Sequence, residues 1–275
     1  EDSEGYVDGN RNWGFNWNPP YVQRGAGNYP FEGTGIRDIA GWMLARPNII
    51  LVFAFHNSGG MYLRGPSFKA AGELPQGDIS VYDYLGKNIE KIVPGYEYLI
   101  SWKDLYSTYG DFTDFTNNLV GSYSFVGELY QVETETFDGN PVRKSDERSR
   151  YGEASEGERQ RLLFDDNVNQ GELFKEWKPY KHPLYGDIEI GGWTKMSTRL
   201  PHPFMLQDLV HRNASSVIFA AKHTPKITVD VFEVKKLGND LWSVRVRLVN
   251  SGAMPTVTYE TIKNKWYPID KLSVE

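Results

Sequence analysis

The apolar positions in the first part of the chain predict alternating helices and strands. Residues 35–46 carry apolar side chains at helical spacing and stop before a proline, and residues 78–92 predict a second helix beginning near Asp78 or Ser80. The run NIILVFAFH at 48–56 is almost wholly apolar, which is typical of a strand buried on both faces of a mostly parallel sheet. A helix followed by such a strand favours an α/β fold.

Further segments extend this pattern. Alternating positions over 122–130 predict a strand, 187–190 a short strand, and 204–221 a helix with apolar side chains along one side. Residues 133–162 are dense in both charges and lack an apolar period, so we expect an exposed loop there. The predicted architecture over residues 1–224 is a mixed, mostly parallel sheet flanked by helices.

The pattern changes after Pro225. Residues 227–236, 240–250 and 256–263 alternate between apolar and polar positions, with turn signals between them. Such segments are typical of half-buried antiparallel strands. We therefore expect residues 225–275 to form a small all-β, sandwich-like module.

Composition excludes several classes of function. The chain has 275 residues, a formal net charge of −6 and no cysteine. The negative charge argues against nucleic acid or an anionic membrane as the main partner. Without cysteine there are no disulfides, no thiolate metal ligands and no thiol catalysis. No run of 18 apolar residues occurs, so we expect no membrane span.

Three kinds of side chain are candidates for chemistry. Of the five histidines, His56 alone follows a predicted buried strand, at the edge where α/β sheets place their ligands. Glu128 lies among apolar neighbours near a strand end, where a carboxylate needs a partner or a role, and Glu189 presents the same problem. Arg11, between two asparagines, has the planar fork that binds a carboxylate through two hydrogen bonds. Each of these side chains could equally have a structural role.

The order of these motifs resembles the zinc metallocarboxypeptidases of the carboxypeptidase A family. The stretch DGNRNW at 8–13 precedes a Tyr-Pro-Phe-Glu helix entry, and a buried strand then ends in Phe-His at 55–56. The segment 104–129 contains a tyrosine, an Asp-aromatic pair and a Ser-Phe-x-x-Glu strand. All three match the spacing of the family without an insertion or a deletion. The likeness covers about residues 5–222.

The resemblance implies a role for each matching residue. His56 would be one of three protein ligands of zinc, and Glu128 would be the general base. Asn10 and Arg11 would hold the terminal carboxylate of peptide or protein C-termini, and Tyr106 would close over the substrate. Asp8 is expected to orient either a metal ligand or the Asn-Arg loop. Two alternatives stay open, Tyr109 in place of Tyr106 and Glu189 in place of Glu128.

This sequence also departs from the family pattern. The family's other two zinc ligands come from an upstream His-x-x-Glu motif, which is absent here, as is its upstream oxyanion arginine. We therefore expect an N-terminally incomplete, carboxypeptidase A-like domain that is inactive alone and is completed by its own N-terminal segment. Ser58 replaces a substrate-contacting aromatic residue, and Thr113 at the expected pocket floor indicates no preferred C-terminal residue.

Family habit implies a secreted or periplasmic protein. The alternative from another class of function is a carboxypeptidase-like module that lacks metal and binds peptide termini or glycans without catalysis.

Overall fold

The computed structural model describes residues 7–130, 156–195, 197 and 199–265. The chain divides into two compact units. The first unit comprises Glu1–Ala54, Tyr62–Gly127 and Arg212–Glu275, and the second comprises Phe55–Met61 and Glu128–His211.

The described residues form helices and strands in mixed order. The helices are α1 Thr34–Leu44, α2 Gln76–Ile92, α3 Phe112–Phe115, α4 Glu156–Val168, α5 Pro203–Lys222 and α6 Tyr259–Asn264. The strands are β1 Leu51–Asn57, β2 Met61–Arg64, β3 Glu97–Ile100, β4 Tyr123–Leu129, β5 Phe174–His182, β6 Gly186–Trp193, β7 Ile227–Lys236 and β8 Trp242–Asn250. No helix of the described segments combines the length and the apolar character needed to cross a bilayer.

A four-stranded mixed sheet in the order β1-β4-β2-β3 is the centre of the first unit. Its main apolar cluster joins α2 to the sheet, with Tyr82 and Leu85 of the helix packed with Phe125 and Tyr62 of the strands. A second cluster gathers Trp13 with residues of α1, of α3 and of the segment after α3. The predicted α/β class is therefore confirmed in its coarse form, a mixed sheet flanked by helices.

The sheet differs from the predicted one in the burial of β1. We expected a strand buried on both faces, whereas Leu51–Ala54 are half-buried and Phe55 is 45 % exposed. The reason is the position of β1 at one edge of the sheet, where fewer neighbouring side chains cover it. The central strand β4 has the expected burial, since Tyr123 and Phe125 are completely buried.

Two antiparallel hairpins account for the other strands. In the second unit β5 pairs with β6, from Phe174 opposite Trp193 to His182 opposite Gly186. In the first unit β7 pairs with β8, from Ile227 opposite Asn250 to Lys236 opposite Trp242. The prediction of strands at 227–236 and 240–250 is confirmed.

The predicted strand at 256–263 is wrong, because α6 occupies Tyr259–Asn264. The helix begins where two groups satisfy its first N–H groups. Thr258 caps its first turn, and the Asp78 carboxylate of α2 accepts hydrogen bonds from the N–H groups of Tyr259, at 3.0 Å, and Glu260, at 2.8 Å. A carboxylate contributed from the distant helix α2 therefore decides the local structure.

Asp78 also accepts a hydrogen bond from the Tyr123 hydroxyl, at 2.7 Å. The residue is completely buried, and this burial raises the pKa of its carboxyl group. One carboxylate thus connects α2, β4 and α6.

The predicted loop at 133–162 is only partly within the described residues. Its first part, up to residue 155, lies outside them. Residues 156–162 form the first turns of α4 and not a loop. The boundary predicted at residue 224 stays a prediction.

Candidate active site

His56 and Glu128 lie close together at the ends of the neighbouring strands β1 and β4. The last residues of both strands, including these two, belong to the second unit. His56 is the penultimate residue of β1 and Glu128 the penultimate residue of β4, and these strands are hydrogen-bonded neighbours. The distance from His56 Nδ1 to Glu128 Oε1 is 3.6 Å, and the side chains are 31 % and 17 % exposed. An imidazole and a carboxylate therefore lie side by side at one partly open position.

Backbone hydrogen bonds hold the turn that follows His56 against the end of β4. Gly60 N–H donates to the Glu128 carbonyl at 2.8 Å, and Gly59 N–H donates to the Tyr130 carbonyl at 2.9 Å. The Asn57 side chain donates to the Arg199 carbonyl at 3.1 Å. These contacts fix the backbone on both sides of the His56–Glu128 pair.

The Asn10–Arg11 loop lies in the first unit and begins at Asp8. The Asp8 carboxylate accepts the N–H of Asn10 at 2.8 Å, which starts a single helical turn over Gly9–Arg11. The Asn10 side-chain oxygen accepts the N–H of Phe112 at 2.9 Å. The Asp8 carboxylate thus holds the first turn of this loop, and its role in a functional site stays a prediction.

Asn12 attaches the same loop to the chain that follows it. Its buried amide donates to the carbonyls of Ala26, at 2.6 Å, and Tyr29, at 2.8 Å, and its oxygen accepts the Gly33 N–H at 3.1 Å. Three bonds from one buried side chain hold the backbone next to Arg11 in a defined position.

Gly110 allows the Arg11 loop to lie directly against the segment before α3. Trp13 N–H donates to the Gly110 carbonyl at 2.8 Å, and Gly110 has φ +65°. A Cβ at this position would lie 2.6 Å from the Arg11 carbonyl oxygen. Both the positive φ and the close approach require glycine here.

Beneath this loop two aspartates form a buried pair. Asp111 Oδ1 accepts the Asp114 N–H at 3.0 Å, and both Asp114 oxygens accept the Ser67 N–H at 3.1 Å. Burial raises the pKa of Asp111, while hydrogen bonds and the Arg11 guanidinium partly oppose this effect. Burial, followed by the charge of Asp111, raises the pKa of Asp114 well above its usual value.

The two candidate tyrosines differ in their surroundings. Tyr106 is 55 % exposed at the end of the segment Ser101–Leu105. Tyr109 is half-buried, with its ring 5.7 Å from that of Phe68 and its N–H bonded to the Gln23 side chain. Tyr106 is therefore the side chain that is more accessible to a ligand.

The predicted site residues are distributed over both units. Asn10, Arg11 and Tyr106 belong to the first unit, and His56 and Glu128 belong to the second. Their convergence on one cleft stays a prediction. Ser58 is exposed and Thr113 is buried, while Glu189 is exposed on β6 opposite Pro179.

The described residues do not offer a complete metal site. No group of three His, Asp or Glu side chains in the described part of the chain is arranged to hold a metal ion. Zinc in proteins usually has at least three protein ligands, whereas His56 has a single acidic neighbour, Glu128, within 4 Å among the described residues.

Sequence reasoning did not single out Gly110 and Asp111. The dipeptide Gly110-Asp111 is a turn signal between two aromatic stretches, and this signal could have predicted a positive φ followed by a helix cap. The contact of Gly110 with Arg11 depends on residues 99 positions apart and has no local signature.

Comparisons with known proteins give little beyond this geometry. A family model described as a domain of unknown function, DUF8731, matches residues 226–275. No curated protein matches the chain. The crystal structure of a carboxypeptidase A from Helicoverpa armigera is similar at 23 % identity and a TM-score of 0.39, and the match covers 45 % of this chain and 32 % of that one. The match therefore spans about a third of the length of that enzyme.

Proposed function

We propose that this chain provides the carboxylate-binding loop and the general base of a zinc metallocarboxypeptidase-type site that hydrolyses C-terminal peptide bonds. The observation that supports this proposal is the 3.6 Å approach of His56 Nδ1 to Glu128 Oε1. The resemblance assigned these two residues to the metal ligand and the base, although they are 72 positions apart in the sequence.

The loop of Asn10 and Arg11 is suited to binding a terminal carboxylate. The Arg11 guanidinium is half-buried and donates through Nη1 to the Asn10 carbonyl at 2.8 Å. A guanidinium has five N–H donors in a planar fork, so after this bond Arg11 keeps further donors that could bind a carboxylate in the bidentate geometry that carboxylates favour. Because Asp8, Asn12 and Gly110 hold the loop, binding a ligand would require little further ordering.

Glu128 is the proposed proton carrier. Its partly exposed carboxylate would take a proton from the attacking water and pass it to the amine that leaves. His56 would hold Glu128 in position in the chain described here, and Tyr106 would cover the bound substrate.

Zinc is the cofactor that the family resemblance implies, and a bound zinc ion would polarise the scissile carbonyl and activate water. The described residues do not fit a complete zinc site, since His56 is not part of a three-ligand group. We therefore expect the chain by itself to bind substrate but not to hydrolyse it.

The lack of a three-ligand group in the described residues favours a second candidate, a binding module without catalysis. This module would use Asn10 and Arg11 to bind peptide C-termini. The two candidates share the carboxylate-binding step and differ in whether Glu128 matters.

The carboxylate-binding step is tested by calorimetry with an N-acetylated dipeptide and its C-terminal amide. We expect the acid to bind at least about 10-fold more tightly, because a bidentate arginine pair contributes about 1.5–3 kcal/mol. Arg11→Ala should remove the difference, whereas Arg24→Ala, at an exposed arginine of the same region, should preserve it. Equal affinity for acid and amide would contradict both candidates.

Catalysis is tested separately, by adding zinc to the chain and to a longer form of the protein if its gene encodes upstream residues. Zinc-dependent release of the C-terminal residue that Glu128→Gln abolishes without weakening dipeptide binding would favour the peptidase. Binding that is unchanged in Glu128→Gln, with no hydrolysis in any form, would favour the binding module.

A further inference from the structure

The β7–β8 hairpin exposes one continuous apolar face. The register places Val229 opposite Leu248, Val234 opposite Val244, and Lys236 opposite Trp242. Side chains of opposed residues point to the same side of a sheet, and alternate residues follow them. The side chains that form this apolar face are each between 42 % and 58 % exposed: Val229, Val231, Val234, Trp242, Val244 and Leu248.

The opposite face of the hairpin is mostly polar and carries two ion pairs. Arg247 contacts Asp230 at 2.8 Å, and Arg245 contacts Glu233 at 3.2 Å. On the apolar face the charged residue is Lys236, at the tip, with its Nζ 5.5 Å from the Trp242 ring centre.

We propose that the apolar face of the β7–β8 hairpin packs against the same face of a second copy of this chain, forming a closed two-fold dimer. A two-stranded sheet is marginally stable alone, and a second apolar layer about 10 Å away is the usual solution.

The exposed area supports a second copy as the occupant. The six residues are each about half exposed, which corresponds to roughly 600 Å² of surface in all, at the upper end of the largest patch that monomers usually expose. Two such faces would bury about 1,200 Å² if each covered the other completely, which is the lower bound for a specific protein interface.

The arrangement of charge also suits a second copy. The chain has a net charge of −6, so contact between copies is least opposed at a surface without acidic residues, and the apolar face carries none. A two-fold axis running across the strands would place the tip of one hairpin over the base of the other, and this arrangement would separate the two Lys236 side chains.

The bulge of β7 favours contact through the face and not through the strand edges. The register shifts between Val231 and Glu233, so that Phe232 is an extra residue in the ladder. A bulge increases twist and hinders addition of a strand at the edge. The assembly should therefore close at two copies.

Sedimentation velocity over about 1–200 µM protein tests the dimer, because an association with a Kd in this range changes the sedimentation coefficient as the protein is diluted. Val229→Glu on the apolar face should raise the Kd at least 10-fold. The matched control is Thr228→Glu, the neighbouring exposed β-branched residue on the polar face, which should leave the Kd within about 2-fold. Circular dichroism confirms that both variants remain folded.

A monomer at every concentration, equal effects of the two variants, or open-ended polymers would each overturn the proposal. Cross-linking gives an independent measurement, because the chain has no cysteine of its own. Val231→Cys, at the centre of the face, should cross-link two copies through a short bis-maleimide, and Thr228→Cys should not. Cross-linking of both to the same extent would also overturn it.

Discussion

The four-stranded sheet and the β7–β8 hairpin are built from similar residues but have opposite environments. Phe125 of β4 is completely buried between the rings of Phe53 and Tyr82, at 5.4 and 5.2 Å. Phe232 of β7 is 59 % exposed. Both strands alternate apolar and polar residues in the sequence, so the alternation identifies a strand without revealing what covers it.

The largest expected difference between the two regions comes from the same substitution made in each. Phe125→Ala removes a ring from a close-packed cluster and should lower the free energy of unfolding by about 3–5 kcal/mol. Phe232→Ala removes an exposed ring near Arg245 and should lower it by less than about 1 kcal/mol. Urea unfolding followed by circular dichroism measures both, and equal losses would show that the hairpin is packed as tightly as the sheet.

A second comparison concerns two glycines of the first unit that both have positive φ. Gly110→Ala should lower stability by about 2–4 kcal/mol, because it combines an unfavourable φ with a Cβ that meets the Arg11 carbonyl. At Gly72 the added Cβ meets no atom within 4 Å, but φ +75° and ψ −141° lie in a region that only glycine adopts readily, so Gly72→Ala should lose about 1–3 kcal/mol through backbone strain alone.

Dipeptide binding should separate the same two variants. Displacement of Arg11 in Gly110→Ala should weaken acid binding about 10-fold, while Gly72→Ala should bind normally. If both variants bind normally, the position of the Arg11 loop does not depend on Gly110.

A smaller effect concerns the buried aspartate pair, and it depends on pH. The pKa of Asp114 is higher in the folded chain than in the unfolded chain, so the folded chain binds more protons between these two values. Stability from this group is therefore fully present below the unfolded pKa and is lost as the pH rises through the folded pKa. Asp114→Asn should reduce that decline, although Asp111, whose pKa is also raised, still titrates, and it should be the more stable form at neutral pH.

Urea unfolding of Asp114→Asn and the parent chain between pH 4 and pH 8 measures this slope. Asp38→Asn, at an exposed position of α1, is the control and should leave the slope unchanged. A parent chain whose stability rises steadily with pH relative to Asp114→Asn would contradict the assignment.

The smallest expected effect lies on the polar face of the hairpin. The pair Arg247–Asp230 is exposed, so a double-mutant cycle with alanine should give a coupling of about 0.2–1 kcal/mol, weakened further by salt. A coupling comparable to the loss in Phe125→Ala would mean that the polar face is covered by another part of the protein.

Much of the fold could be predicted from local patterns. Residues 78–92 and 204–221 have clear helical spacing, and α2 and α5 occupy these positions within a few residues. β2, β3 and β5 were missed because the segments are short or contain charges and proline, so that their pairing partners decide their structure. The helix α6 was missed for a similar reason, since Asp78 caps it from α2.

The candidate site was predictable to the extent that it lies at strand ends. The sequence indicated that His56 and Glu128 each lie near the end of a strand. In the structure β1 and β4 are neighbours, and their ends bring the two side chains within 3.6 Å of each other. The packing of Gly110 on Arg11 and the Asp111–Asp114 pair depend on loops that meet only in the folded chain. No local pattern encodes such contacts.

The carboxylate of Asp78 has a practical consequence for anyone who shortens this gene. In a fragment that stops before α6, the buried carboxylate of Asp78 would lose the two hydrogen bonds that the main-chain N–H groups of Tyr259 and Glu260 donate to it. Domain swaps and expression fragments should therefore carry α2 and α6 as one inseparable cassette, even though more than 160 residues of coding sequence lie between them.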